Sequence, residues 1–201
     1  MKTLLIATAN AHKAIEIGAK LQELGLTDLE LLDLSAFPDY VAPEENGSSF
    51  AANALIKALA AADHAGYPAL ADDSGLMVAA LGGAPGKYSA RYAGAGHDDK
   101  ANNAKLLAKL ADAPLERRQA AFCCVIALAR PDGQYWLAEG LVNGVILKEP
   151  RGCAGFGYDP LFFLPQYGLT MAELTAAEKN RLSHRALALE KALPLMENLW
   201  P

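Results

Sequence analysis

Two pairs of adjacent acids, Glu44-Glu45 and Asp72-Asp73, stand where the surrounding sequence reads as loop or strand end, while Lys13, Lys57, Lys179, His184 and Arg185 are scattered through the rest. Carboxylate oxygens unaccompanied by His or Cys suit a hard cation such as Mg²⁺, which keeps several waters and shares its other positions with phosphates. The lysines and such an ion would together neutralise a polyphosphate. A carboxylate beside the ion would orient or deprotonate an attacking water, with the metal stabilising charge on the phosphoryl oxygens. Exposed loop acids give the same pattern without any chemistry, and residue types alone leave both readings open. No GxxxxGK[ST] segment is present, which excludes a P-loop enzyme.

These side chains need elements to hold them. Thr3 to Ala7 reads as a buried strand ending at Thr8-Ala9-Asn10, and Asn10 is a good cap for the helix that follows. Ala14, Ile17, Leu21 and Leu24 recur there at helical spacing, which leaves Lys13, Glu16, Lys20 and Glu23 on other faces until Gly25. A strand running into a helix N-terminus is a natural anion site, and Lys13 in the first turn meets a phosphate or is a solvated helix lysine. Leu29 to Leu32 reads as a second strand, and Ser35 to Gly47 as a loop. Ser48 or Ser49 then caps an alanine-rich helix from about Phe50 to Ala65, with Lys57 on the same turn as Asn53.

Ala69 to Asp72 is a short apolar strand stopping on the acid pair, followed by Ser74, Gly75 and an extension over Met77 to Leu81. Asp98 or Asp99 caps a helix to about Leu110. Arg118 to Ala129 and Gln134 to Leu147 form two long strands joined at Pro131-Asp132-Gly133, so the sheet is expected to be mixed. Next comes Gly152 to Pro160, a glycine-rich loop displaying Phe156, Gly157, Tyr158 and Asp159 before an apolar strand, Leu161 to Leu164. Glycines so dense let backbone approach a flat ligand while Phe156 covers its face, or they make a tight turn with core aromatics. Thr175 to Glu178 is a capping box. One continuous helix beyond it would put Lys179 and His184 about 140° apart. A break with Ser183 as a second cap is therefore expected, placing His184 and Arg185 in a helix first turn where anions are favoured.

The 201 residues are 52% hydrophobic and 20% charged, enough for a substantial core, and the net charge of −5 provides no basic field for nucleic acid. The longest apolar run, Ala120 to Ala129, is about half of what a bilayer requires, and the opening residues turn polar too soon for a signal peptide, so a cytoplasmic protein is expected. Cys123, Cys124 and Cys153 have no metal-ligand spacing and read as small apolar core residues. No linker or repeat interrupts the chain.

Taken in order, Thr8 to Lys13, Glu45 to Phe50, Ala71 to Leu76, Leu81 to Gly94, Gly155 to Pro160, Glu178-Lys179 and Ser183-His184-Arg185 closely resemble the inosine triphosphate pyrophosphatase family, also called Ham1-like dITP/XTP pyrophosphatases. The resemblance implies one ITPase-like domain over residues 1–201: an α/β fold with a long mixed twisted sheet, flanking helices and two lobes around a central cleft. It also implies a homodimer that hydrolyses ITP, dITP or XTP to the monophosphate and pyrophosphate with Mg²⁺. Asp73 matches the family's general base and metal-side carboxylate, and Glu45 a metal ligand. Thr8, Ala9, Asn10, Ala11, His12, Lys13 and Ser74 match the strip contacting phosphates and sugar, with Lys57 among the substrate-binding residues. Phe156, Gly157, Tyr158, Asp159, Lys179, His184 and Arg185 match the part that holds the base. Ala9 stands where the family often has glycine and Ala52 where many members have glutamate, departures that bear on metal affinity and rate. The alternatives are a Maf-like pyrophosphatase of other modified nucleotides and a nucleotide-binding module without catalysis.

Overall fold

The computed structural model describes residues 2–96 and 98–200. Its strands are β1 (Lys2–Ile6), β2 (Leu29–Asp33), β3 (Ala69–Val78), β4 (Gln119–Ala129), β5 (Tyr135–Ile146), β6 (Phe162–Leu164) and β7 (Leu169–Thr170). The helices are α1 (Ala11–Glu23), α2 (Phe50–Ala65), α3 (Asp99–Lys109), α4 (Ala176–Leu182) and α5 (His184–Met196). The strands pair in the order β2-β1-β3-β4-β5-β6-β7. β1 is parallel to β2 and β3, whereas β5–β6 and β6–β7 are antiparallel, so the sheet is mixed. Among the described residues no helix is long and apolar enough to cross a membrane.

The chain divides into two compact units. The first comprises Met1–Asp73, Cys124–Gly140 and His184–Pro201; the second comprises Ser74–Cys123 and Leu141–Ser183. In the first, Leu4 and Ile6 of β1, Ile17 and Leu21 of α1, Leu70, the β4 residues Cys124, Ile126 and Leu128, and Ala188, Leu189 and Met196 of α5 form one apolar cluster. β4 is apolar almost throughout because nearly all of it is buried, whereas β5 alternates exposed Leu137, Glu139 and Leu141 with buried Ala138, Gly140 and Val142. In the second unit Leu76, Leu106, Leu110, Phe122, Leu161, Phe162 and Leu164 are buried, with the Phe122 and Phe162 ring centroids 4.4 Å apart.

Three sequence expectations change here. β3 does not stop at the acid pair but runs on through Ser74 to Val78. Its neighbour is what stops: β1 ends at Ile6, paired with Leu70, so Asp72 and Asp73 lie in the stretch of β3 that outruns β1. Lys20, read as lying off the apolar face of α1, is buried, with Glu190 at 2.8 Å and Glu23 at 3.2 Å neutralising it. Cys123 and Cys124 are buried as expected, but Cys153 is exposed in the glycine-rich loop. The loop runs over the surface, so its small residues serve backbone geometry rather than the core.

Candidate active site

The sequence-marked side chains gather in two clusters, one in each unit. In the first, Asn10 caps α1 as its sequence suggested, its side-chain oxygen accepting from the N–H groups of His12 and Lys13. Two of the first-turn donors that sequence reasoning left for an anion are therefore already occupied. Ala9, Asn10, Ala11 and His12 are exposed just beyond β1, and Thr8, half-buried, accepts from the Asn10 N–H through Oγ1 at 3.2 Å. Lys13 Nζ reaches down to Asp72 Oδ2 at 2.9 Å.

Asp72 is also the anchor of Arg185. Arg185 Nη2 and Nε donate to Asp72 Oδ2 at 3.0 and 3.2 Å, and Nη1 pairs with Glu16. Burial works to raise the Asp72 pKa, but Lys13, Arg185 and Lys57 outweigh it and hold the carboxyl well below its usual range. Burial likewise opposes the Arg185 charge, and Asp72 with Glu16 more than restores it. Arg185, which the resemblance counts among the residues that hold the base, pairs here with Asp72 and Glu16. It is 2% exposed, and its guanidinium is committed to two carboxylates. The reason lies in the break between α4 and α5. Ser183 is extended (φ −73°, ψ 153°), so α5 restarts at His184 as expected, and its first turn faces the acids of its own unit.

Asp73 points into a different set of partners. Ser49, the cap of α2, starts a helix whose Asn53 donates through Nδ2 to Asp73 Oδ2 at 3.0 Å. The same Asn53 accepts from the Gly47 N–H at 2.8 Å, and a Cβ on Gly47 would lie 2.6 Å from that oxygen, so the close approach requires glycine there. One turn on, Lys57 pairs with Glu45 at 3.1 Å. Burial pushes the Asp73 pKa up against the pull of Lys57, Asn53 and Lys13, and Glu45 adds to the rise. Sequence reasoning placed Asn53 only as a neighbour of Lys57 and gave Glu16 no role. The available signals were spacings, Asn53 at i−4 from Lys57 and Glu16 at i+3 from Lys13.

Both Glu45 and Asp73 offer carboxylate oxygens, the donor type that a hard divalent cation takes, and Glu45 adds to the rise of the Asp73 pKa. Among the described residues no three His, Cys, Asp or Glu side chains gather for a metal, so an ion here would draw its other ligands from water and phosphate.

In the second unit Lys179, 9% exposed, donates to Asp159 Oδ2 at 2.8 Å and lies 4.5 Å from the centroid of the Phe156 ring. Asp159 also accepts from the Phe156 N–H at 2.9 Å. Gly155 makes this possible, since a Cβ there would sit 2.1 Å from Asp159 Oδ2. Tyr158 is buried, with its hydroxyl donated to the Ser89 carbonyl at 2.8 Å, so it braces the loop instead of presenting its ring. Ser74 is half-buried in β3. A separate hollow of about 610 Å³, lined by Leu26, Leu29, Leu193 and Trp200 among others, contains none of these residues.

A mixed α/β sheet with flanking helices, carrying an acid–lysine cluster where β3 outruns β1, is the class of protein so far defined. Residues 4–195 match the model of the Ham1 family. A dITP/XTP pyrophosphatase of Desulforamulus reducens is 50% identical over 98% of this chain and 96% of its own length, and one of Geobacter sulfurreducens is 54% identical over 94% of each. Among solved structures, a HAM1 protein from Coxiella burnetii superposes with a TM-score of 0.88 at 40% identity, covering 98% of this chain and all of that one. The chain belongs to the Ham1 family.

Proposed function

We propose that the chain hydrolyses deaminated purine nucleoside triphosphates, ITP, dITP and XTP, to the monophosphate and pyrophosphate. What supports this reading above all is near-full-length identity of 50% or more to two dITP/XTP pyrophosphatases, together with a cluster in this chain whose chemistry suits the reaction. Lys13 and Lys57, now held on Asp72 and Glu45, would exchange those carboxylates for the triphosphate. Asp73, oriented by Asn53, would take a proton from water as the water's oxygen bonds to phosphorus and the bridging P–O bond breaks, releasing pyrophosphate. Glu45 and Asp73 would hold Mg²⁺, which supplies charge stabilisation at the phosphoryl oxygens when bound.

Base selection is assigned to Phe156, Asp159 and Lys179, with His184 and Arg185 as the family resemblance implies. Inosine and xanthosine present a 6-oxo acceptor where adenosine presents an amino donor. A fixed ammonium such as Lys179, pinned by Asp159, rewards the oxo form and leaves adenosine unpaired. A single ITPase-like domain over 1–201, a homodimer and a cytoplasmic setting complete the proposal. Sedimentation equilibrium reading a monomer would contradict the dimer.

The test is a panel of ITP, XTP, GTP, ATP and modified pyrimidine triphosphates, reading pyrophosphate against orthophosphate. Pyrophosphate release from ITP and XTP well above ATP is expected. Preference for modified pyrimidines would favour the Maf-like alternative, and ITP binding without release in Mg²⁺ would favour the non-catalytic module.

A further inference from the structure

α3 grips the aromatic loop by both polar groups of one residue. Asp99 Oδ2 accepts from the Gly157 N–H at 2.7 Å, and Asn103 Nδ2 donates to the Gly157 carbonyl at 2.9 Å. The two side chains are one helical turn apart and so lie on the same face of α3. Their bonds span 58 and 54 residues of sequence, joining a helix to a loop that it does not otherwise adjoin in the chain.

Helix capping does not explain Asp99. Asp98 is the cap, accepting from the N–H groups of Lys100 and Ala101, which leaves the Asp99 carboxylate available to Gly157. Nor is the Asn103 amide indifferent to its orientation. Its Oδ1 is buried and meets no hydrogen-bond partner among the described residues, and turning the amide over would set that oxygen against the Gly157 carbonyl. The gripped peptide lies between Phe156, whose ring covers Lys179 Nζ, and Tyr158, whose hydroxyl is tied to Ser89.

We propose that Asp99 and Asn103 are positioning residues for base recognition: by clamping Gly157 they fix Phe156 over the Lys179–Asp159 pair before substrate arrives. This rests on the reading that the Phe156–Asp159 segment holds the base. A loop ordered only on binding would charge its ordering entropy against substrate affinity, so releasing the clamp weakens binding more than turnover.

The experiment measures kcat and KM for ITP in Asp99→Ala, Asp99→Asn, Asn103→Asp and Phe156→Ala, each checked for folding by circular dichroism and thermal melting. Asp99→Ala and Asn103→Asp are expected to raise KM about 5–10-fold with kcat within about twofold. Asp99→Asn, which keeps an acceptor for the Gly157 N–H, restores KM to within about twofold of the parent. Asn103→Asp keeps the size of the side chain while placing oxygen against oxygen, so it carries the test if Asp99→Ala does not fold. An unchanged KM in the clamp variants, with or without a lowered Tm, overturns the proposal. If Phe156→Ala still raises KM in that case, the base-site reading survives the loss of the clamp. If Phe156→Ala also leaves KM unchanged, both fail.

Discussion

The replacement Arg185→Met removes the cation that stands between two acids in the interior. Asp72 has no side-chain exposure and Arg185 has 2%, with Lys13 at 16% and Glu16 at 17%, so solvent screens little of what is lost. Asp72 keeps its ion pair with Lys13 but loses that with Arg185, and Glu16 loses the guanidinium. Removing one partner of a buried pair typically costs about 3–5 kcal/mol, chiefly because the remaining charge stays desolvated. In a chain of this length that corresponds to a Tm lowered by about 6–20 °C, at about 2–4 °C per kcal/mol. Asp72→Asn should cost a comparable amount by leaving Lys13 and Arg185 facing each other. The double variant should be less damaged than the sum of the two by about 1–3 kcal/mol, since neither Asp72 nor Arg185 is then left as a buried charge facing the other's neutral replacement. Urea denaturation followed by circular dichroism measures all three. Stability of Arg185→Met within about 1 kcal/mol of the parent, or strict additivity in the double variant, would refute the view that Asp72 and Arg185 form one electrostatic unit.

Other outcomes follow from the same contacts. Arg118, 2% exposed, donates to the carbonyls of Leu110, Ala113 and Leu147; Arg118→Leu should destabilise the chain by about 3 kcal/mol, read by urea denaturation, because these acceptors lose a charged donor. The Glu178 carboxyl is held below its ordinary 4.5 by the Thr175 N–H and then by the Thr175 hydroxyl. Because that pKa is depressed on folding, the capping box contributes above about pH 4.5 and is lost as pH falls through the lower folded value. The Tm gap between the parent and Glu178→Gln should therefore narrow between pH 6 and pH 3, and a constant gap would contradict this.

Local signals in the sequence carried the capping residues Asn10, Ser49 and Thr175, the Pro131-Asp132-Gly133 turn and the break at Ser183, because each depends on residues within about four positions. The mixed sheet was legible too, since two long strands joined by a tight turn must run antiparallel. Less legible was anything decided by sequence-distant partners. Nothing near Arg185 announces that Asp72, 113 residues away, will take its charge. The apparent strand end at Asp73 is where a neighbouring strand stops, which depends on pairing register and not on the local apolar run. The burial of Lys20 was not legible because its partner Glu190 lies on another helix. Likewise Asp99 read only as a possible cap, since the loop it holds is 58 residues downstream.

In the proposed reaction Asp73 takes the proton from water while the lysines hold phosphate. The most direct test is the Mg²⁺-dependent release of pyrophosphate from ITP by the parent chain and by Asp73→Asn, with circular dichroism and thermal melting confirming that both are folded. The prediction is a fall in kcat of at least about 10²-fold in the variant, within the range that a positioned general base contributes. A folded Asp73→Asn protein that still releases pyrophosphate at the parent rate would contradict it.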